Sequence, residues 1–186
     1  MSTTPPASSV AGRVTIGVAI AVPQPWGVQL QDYRASLGDA TAEGIPTHIT
    51  LMPPHEIDAA DLPDVEKHLV EAAGAADAFR IHLRGTGTFR PVSPVVFVSV
   101  AEGISACEQL ALAVRSGPLE ANLQFPYHPH VTVAHHLSDE CLDRAFAELA
   151  PFDCDFTVDH FSLYVHDRSE GWVPTRDFAL AGSAPG

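Results

Sequence analysis

Two short stretches of the sequence repeat the same order of residue types around a histidine. The first, PTHITL, covers residues 46–51 and contains His48, and the second, YHPHVTVA, covers residues 127–134 and contains His130. An imidazole has an ordinary pKa of about 6.5, so near neutral pH one ring can accept a proton while another donates one. Two matched histidines therefore indicate general acid–base chemistry.

A threonine follows each histidine two positions later, Thr50 in the first stretch and Thr132 in the second. Side chains two positions apart on a β-strand point to the same face, so each strand would present an imidazole beside a hydroxyl. A hydroxyl can donate a hydrogen bond to a non-bridging phosphate oxygen, where negative charge is held in the transition state. Phosphodiester cleavage needs one group to deprotonate the attacking oxygen and another to protonate the leaving oxygen. The two motifs together therefore predict phosphodiester chemistry without a metal or any other cofactor.

The predicted elements around the two motifs occur in a similar order. Apolar runs and alternation indicate strands, and an apolar spacing of about 3.6 residues indicates helices. Residues 53–63 are expected to form a loop, and Asp61 and Ser138 are expected to cap the helices that follow them. The predicted strands are 14–22, 47–52, 78–89, 95–100, the segment with His130, about 155–165 and 172–180, and the predicted helices are 25–37, about 63–76, 104–115 and 138–150.

A helix precedes each motif strand, and a helix followed by two strands comes after it. This order, together with the repeated motif, indicates a divergent internal duplication. We therefore predict an α+β fold of two lobes related by a pseudo-twofold axis, in which two antiparallel sheets face a central cleft and helices pack on their outer faces. The two motif strands would then present their histidines to one cleft.

The chain of 186 residues, 46% of them hydrophobic, is long enough to bury one sizeable core. Residues 13–181 are expected to form a single bilobal domain. Residues 1–12 and 182–186 are rich in small and polar residues without apolar periodicity, so they are expected to be flexible tails.

The charge balance restricts the class of substrate. Ten Lys and Arg stand against 23 Asp and Glu, a formal net charge of −13. Such a field repels the backbone of a long nucleic acid, so a small nucleotide or an RNA end is the expected partner.

No apolar run reaches the roughly 18 residues of a membrane-spanning helix. The chain is expected to act as a monomer.

The three cysteines, Cys107, Cys141 and Cys154, include no CxxC pair. This pattern indicates neither a disulfide framework nor a zinc ribbon. A reducing cytoplasm is the expected location.

The paired sequences HIT at 48–50 and HVT at 130–132 resemble the HxT/S motifs of the two-histidine (2H) phosphoesterases. The branch they resemble most is that of the 2'-5' RNA ligase-like and cyclic phosphodiesterases. The resemblance extends to the order of elements over about residues 13–180. It implies a bilobal α+β fold and metal-independent chemistry on 2',3'-cyclic phosphates, related cyclic nucleotides or 2'-5' linkages.

The resemblance also implies a role for each motif residue. His48 and His130 would form the acid–base pair, and Thr50 and Thr132 would bind the phosphate. We expect His48 to be the general acid on the leaving oxygen and His130 the base on the attacking water, although the similarity of the motifs leaves the reverse assignment open. The acidity of this chain departs from the RNA-handling members, which argues against large RNA substrates.

Three further residues are candidates for contact with the substrate. Tyr127 could place its ring or hydroxyl at the rim of the cleft, with ordinary packing as the alternative. Arg90 could offer a cation to a phosphate, or lie in a solvated turn. Phe89 could stack on a base, or belong to the core.

Two other functions are compatible with the histidines. His128, His130, His135 and His136 could form a transition-metal cluster, but no Asp or Glu occurs at 121–138 and the first motif would remain unexplained. A noncatalytic nucleotide-binding protein is the other alternative, against which the intact His and Thr of both motifs argue.

Overall fold

The computed structural model describes residues 12–182, and the predicted tails fall almost entirely on residues 1–11 and 183–186, outside that range. The described chain forms eight β-strands and four α-helices. Branched apolar runs form the strands, and a helix lies beside each motif strand in sequence, as predicted. The elements are β1 (Arg13–Ala21), α1 (Trp26–Ser36), β2 (His48–Asp58), α2 (Leu62–Gly74), β3 (Phe79–Thr88), β4 (Val95–Glu102), α3 (Ile104–Val114), β5 (His130–His135), α4 (Asp139–Glu148), β6 (Asp153–Val158), β7 (His160–Asp167) and β8 (Gly171–Ala179).

All eight strands pair antiparallel in one sheet, in the order β6-β3-β4-β5-β2-β1-β7-β8. This confirms the α+β prediction, but two separate sheets were expected and the strands join into one. The motif strands β2 and β5 lie side by side at its centre and share a single pair of partners, Ile49 and Val131. The sheet therefore consists of two four-stranded halves that meet at one point. The pseudo-twofold relation between them stays a prediction.

The segment predicted as one strand at about 155–165 is two strands, and that prediction was wrong. The chain breaks at Asp159, where two exposed residues follow each other and interrupt the alternation of buried and exposed side chains. β6 pairs with β3 at one edge of the sheet, whereas β7 pairs with β1 in the other half. The chain therefore crosses between halves at this break.

β2 continues to Asp58, although a loop was predicted from residue 53. Pro53 and Pro54 lie where the pairing between β1 and β2 is irregular, between the partners Val18–Met52 and Ile16–His55. Proline lacks the N–H that a regular ladder needs, so it is accommodated at a bulge. Propensity alone did not predict this continuation.

Each half of the sheet contributes a helix that packs on the motif strand of the other half. α1 follows the first strand of the His48 half but contacts β5, and α3 follows a strand of the His130 half but contacts β2. Each motif strand is thus packed under a helix from the other half. The covered face includes the fully buried side chains Ile49, Leu51, Val131 and Val133.

The helices begin close to the predicted residues. Of the two predicted N-caps, Ser138 forms a side-chain hydrogen bond to its helix and Asp61 does not. The Ser138 hydroxyl accepts a hydrogen bond of 3.3 Å from the amide of Cys141. Asp61 occupies the N-cap of α2 without such a bond. None of the helices within residues 12–182 is long and apolar enough to cross a membrane.

Candidate active site

The motif strands are held side by side through their apolar faces. Ile49 and Val131 are the paired residues, and both side chains are completely buried. Because successive side chains on a strand point to opposite faces, the residues before and after each of them point to the other face. Both motifs therefore turn their histidine and threonine to the same side of the sheet.

The antiparallel register also sets which polar residues are neighbours. From the Ile49–Val131 pair, one step forward on β2 corresponds to one step back on β5. Thr50 therefore lies beside His130, and His48 lies beside Thr132. The two imidazoles occupy one diagonal of this group of four residues, and the two hydroxyls occupy the other.

Each imidazole is bound to the backbone in the same way. His48 Nδ1 lies 2.5 Å from the carbonyl oxygen of Pro46, and His130 Nδ1 lies 2.7 Å from the carbonyl oxygen of His128. A carbonyl oxygen only accepts, so Nδ1 must carry the hydrogen in both rings. Nε2 is therefore the atom of each ring that exchanges a proton.

The environment of His48 favours its neutral form. Burial lowers its pKa below the ordinary value, and the hydrogen bond to Pro46 only partly opposes this effect. The positive guanidinium of Arg34 lowers the pKa further. His48 thus gives up a proton readily at Nε2.

His130 has a similar electrostatic environment, with one added effect. Burial lowers its pKa, and the bond to the carbonyl of His128 works in the opposite direction. Positive charge on the His128 ring and on His48 lowers the pKa again. Because His48 and His130 repel each other when both are charged, the state with one charged ring is favoured over the doubly charged state.

Aromatic rings surround His130. Phe89 meets the His130 ring edge to face, with centroids 5.0 Å apart, and Phe97 lies 5.2 Å from it. His128 completes the cluster at 5.9 Å from His130. Gly87 leaves space for the Phe97 ring, because a Cβ at position 87 would lie 2.5 Å from that ring. These rings keep water from His130, which is the physical cause of its lowered pKa.

The His48 side of the cleft opens into a cavity of about 220 Å³. Its lining includes His48 and Thr50 of β2, a stretch of β1, Tyr164 of β7 and Trp172 of β8. The sequence analysis did not identify Tyr164 or Trp172, because nothing local distinguishes an aromatic residue of a strand pair from a core residue. Their place in the site follows from strand order, which puts β7 next to β1 and β8 next to β7.

The model of the 2'-5' RNA ligase superfamily matches residues 22–170, which include both motifs. The chain belongs to this superfamily. It is thus a member of the two-histidine phosphoesterases, as the motifs predicted.

Individual proteins are similar to this chain over most of its length. A protein of Halalkalibacterium halodurans that carries a phosphoesterase name is 33% identical over 138 residues, which are 73% of this chain and 80% of that protein. The apo structure of LigT from E. coli is 26% identical, covers 91% of this chain and 98% of its own, and superposes with a TM-score of 0.66. A structure from Thermus thermophilus shares the fold, with a TM-score of 0.61, 24% identity and coverage of 91% of this chain and all (100%) of its own.

Tyr127, predicted as a rim residue, makes a backbone contact. Its hydroxyl donates a hydrogen bond of 2.8 Å to the carbonyl oxygen of Thr50. The guanidinium of Arg115 lies over its ring, 5.2 Å from the centroid. The bond ties the segment before β5 to β2 just beyond the Ile49–Val131 pair, so Tyr127 reinforces the contact between the two halves.

Arg90 is held by acidic side chains of α4. Its Nη2 atom lies 2.8 Å from Asp143, and its Nη1 atom lies 3.8 Å from Asp139. A phosphate would therefore compete with two carboxylates for this guanidinium. Contact between Arg90 and the substrate stays a prediction, whereas Phe89 lies directly against His130.

The histidines proposed for a metal cluster fall into two groups. His128 precedes β5 and His130 is its first residue, with ring centroids 5.9 Å apart. His135 is the last residue of β5 and His136 follows it, with ring centroids 5.2 Å apart. Across residues 12–182 no three His, Cys, Asp or Glu side chains converge in a way that could hold a metal ion. The metal-binding alternative thus has no support in the arrangement of these side chains.

Proposed function

We propose that the protein hydrolyses a 2',3'-cyclic phosphate or a 2'-5' phosphodiester of a nucleotide or RNA end, by paired histidine catalysis without a metal. The observation that supports this most directly is the shared tautomer of His48 and His130. Both rings have Nδ1–H bound to the backbone and Nε2 left for proton exchange. Membership of the 2'-5' RNA ligase superfamily supports the class of substrate.

In the proposed reaction on a cyclic phosphate, water attacks phosphorus and one ribose oxygen leaves. His130 Nε2 accepts a proton from the water as the new P–O bond forms. His48, protonated on Nε2, gives its proton to the leaving oxygen as the old P–O bond breaks. The product is a phosphate monoester, and proton exchange with solvent returns both rings to their starting states.

The threonines would hold the phosphate during this reaction. Thr50 and Thr132 lie on the same face as the histidines, and neither hydroxyl has a hydrogen-bond partner among residues 12–182. Both can therefore donate to non-bridging oxygens, whose charge increases in the transition state.

The test is turnover of a nucleoside 2',3'-cyclic phosphate in excess chelator. We expect activity to persist with chelator and to be lost in His48→Ala and, separately, in His130→Ala. His68→Ala is the matched control, because His68 lies in helix α2 rather than in the sheet, and its Nε2 atom lies 3.0 Å from the carbonyl oxygen of Val114 in α3. Loss of activity with chelator would contradict the metal-free mechanism. Binding without turnover of a cyclic phosphate or a 2'-5' dinucleotide would favour the noncatalytic alternative.

A further inference from the structure

The cavity on the His48 side has walls of one chemical character. Its lining residues in the described chain include no Asp, Glu, Lys or Arg. Met52 and Pro54 contribute aliphatic surface, and Tyr164 and Trp172 contribute aromatic surface. Away from His48 and Thr50, a charged group would lose its hydration there without gaining a charged partner. The cavity therefore suits an uncharged group with large apolar faces.

The strand register gives the cavity a flat wall. Gly17 is paired with Tyr164, and Ala19 is paired with Thr50, so β1 presents small residues beside the phosphate-binding threonine. The Trp172 ring lies close to this bare stretch of strand: a Cβ on Gly17 would be 3.3 Å from Trp172 Cζ3. A planar aromatic surface is thereby held at one side of the cavity.

The volume of the cavity limits the size of its occupant. Sites for drug-sized ligands have volumes of about 300–1,000 Å³, and this cavity has about 220 Å³. It can take one ring system, but it cannot take a further nucleotide. The formal net charge of −13 acts in the same direction, since it repels additional phosphates of a polymer.

We propose that this cavity binds the base of a single nucleoside whose phosphate lies at His48 and Thr50, with the base against Trp172. This inference rests on the proposed function. His48 and Thr50 are part of the cavity lining, so a nucleoside whose phosphate is bound by these two residues enters the cavity directly. Because the walls offer few polar groups, the cavity recognises the flat shape of the base and discriminates weakly among different bases.

The location also assigns the two histidines. In a cyclic phosphate the leaving oxygen stays attached to the nucleoside, so it lies on the side where the base is bound. His48 lies on that side, so it donates the proton to the leaving oxygen. The attacking water then comes from the His130 side.

The experiment compares a nucleoside 2',3'-cyclic phosphate with a base-free ribose 2,3-cyclic phosphate. In Trp172→Ala the ratio of kcat/KM for the two substrates is expected to fall about 10-fold, because stacking of a base on an aromatic ring contributes about a factor of 10 or more. Trp172→Phe, which keeps an aromatic ring, restores most of the ratio. Trp26→Phe is the matched control, since Trp26 is the only other tryptophan and lies in α1 against Phe156. An unchanged ratio in Trp172→Ala overturns the inference while the proposed function stands.

A binding measurement separates failure of the cavity from failure of the reaction. Trp172 is the single tryptophan left in Trp26→Phe, so its fluorescence reports on the cavity. Nucleoside 3'-monophosphate is expected to quench this fluorescence, and ribose phosphate at equal concentration is not. Quenching without turnover of any cyclic phosphate rejects the proposed reaction and keeps the base site. Equal quenching by both compounds, or by neither, rejects the base site.

Discussion

Arg34 Nη1 donates a hydrogen bond of 2.8 Å to the carbonyl oxygen of Ile45. The same guanidinium forms a buried ion pair with Asp39, with a distance of 2.9 Å and side chains only 3% and 4% exposed. Ile45 is next to Pro46, whose carbonyl oxygen binds the His48 ring. A buried ion pair between α1 and the residues that follow it thus holds the segment that orients His48, one of the two histidines proposed to be catalytic.

Replacing Arg34 should destabilise the fold strongly. In Arg34→Met the buried carboxylate of Asp39 keeps its hydrogen bonds from Thr41 but loses its ion-pair partner. Removal of one partner of a buried ion pair costs about 3–5 kcal/mol. The free energy of unfolding in urea measures this loss. Arg176→Met is the control, because its pair with Glu66 is partly exposed and should contribute less than about 1 kcal/mol. Equal losses of unfolding free energy in the two variants would show that the buried Arg34–Asp39 pair stabilises the fold no more than the partly exposed Arg176–Glu66 pair.

The pH dependence of turnover should follow the lowered pKa values of both histidines. The base must be neutral and the acid must be charged, so kcat/KM is expected to be bell-shaped, with apparent values that belong to the pair. Burial lowers the pKa of His48 and of His130 below the ordinary value of about 6.5, so the optimum should lie on the acid side of it. A monotonic profile would contradict paired roles.

His128 provides a sharper test of this profile. Its ring is exposed, and its positive charge lowers the pKa of His130. His128→Gln removes that charge while keeping the backbone carbonyl that binds His130 Nδ1. The limb of the kcat/KM profile set by His130 should then move to higher pH, and the other limb should move less. A shift of both limbs by the same amount would assign the effect to a general change in the cleft.

The threonine hydroxyls should act on the transition state. Thr50→Val and Thr132→Val keep the branched shape and remove the donor, and the loss of one such donor typically reduces kcat by about 100-fold. Steady-state kinetics measure the change. Serine at either position should restore most of the rate, because it keeps the hydroxyl. Thr157→Val, on edge strand β6, is the control and should retain full activity.

The buried histidine His48 should lower the stability of the protein in acid. The pKa of His48 is lower in the folded state, so below about pH 6.5 the unfolded chain binds more protons and the free energy of unfolding falls as the pH falls. Asparagine can place its amide nitrogen near the position of Nδ1 and does not titrate. His48→Asn should therefore gain stability relative to the wild type at pH 5 compared with pH 8, as measured by urea denaturation at both values. If the difference in free energy of unfolding between His48→Asn and the wild type is the same at pH 5 and pH 8, the lowered pKa of His48 in the folded state is contradicted.

The sequence predicted the parts of the site that depend on local patterns. Alternation along PTHITL and YHPHVTVA correctly assigned His48, Thr50, His130 and Thr132 to one face, because the period of two is a property of any strand. Their apolar neighbours are buried under helices, as expected. The repeated order of elements predicted an α+β fold.

Contacts between distant segments could not be predicted in this way. The break at Asp159 looks like a small interruption in sequence, but it separates strands that lie in different halves of the sheet. Tyr127 and Arg90 were candidates for substrate contact, and packing gave their polar atoms partners on Thr50 and on α4. Residue type alone does not reveal which partner a polar group will have.

The sequence by itself determined the chemistry that this protein can offer, namely two imidazoles and two hydroxyls on the same side of two strands. The tertiary structure decided which nitrogen of each ring is free, because backbone carbonyls two residues upstream bind Nδ1. It also decided that Trp172 borders the cavity beside His48, because β8 lies two strands from β1 in the sheet. Alternation is local and can be read along the chain, whereas tautomer and cavity depend on how the chain turns and on the order in which its strands pair.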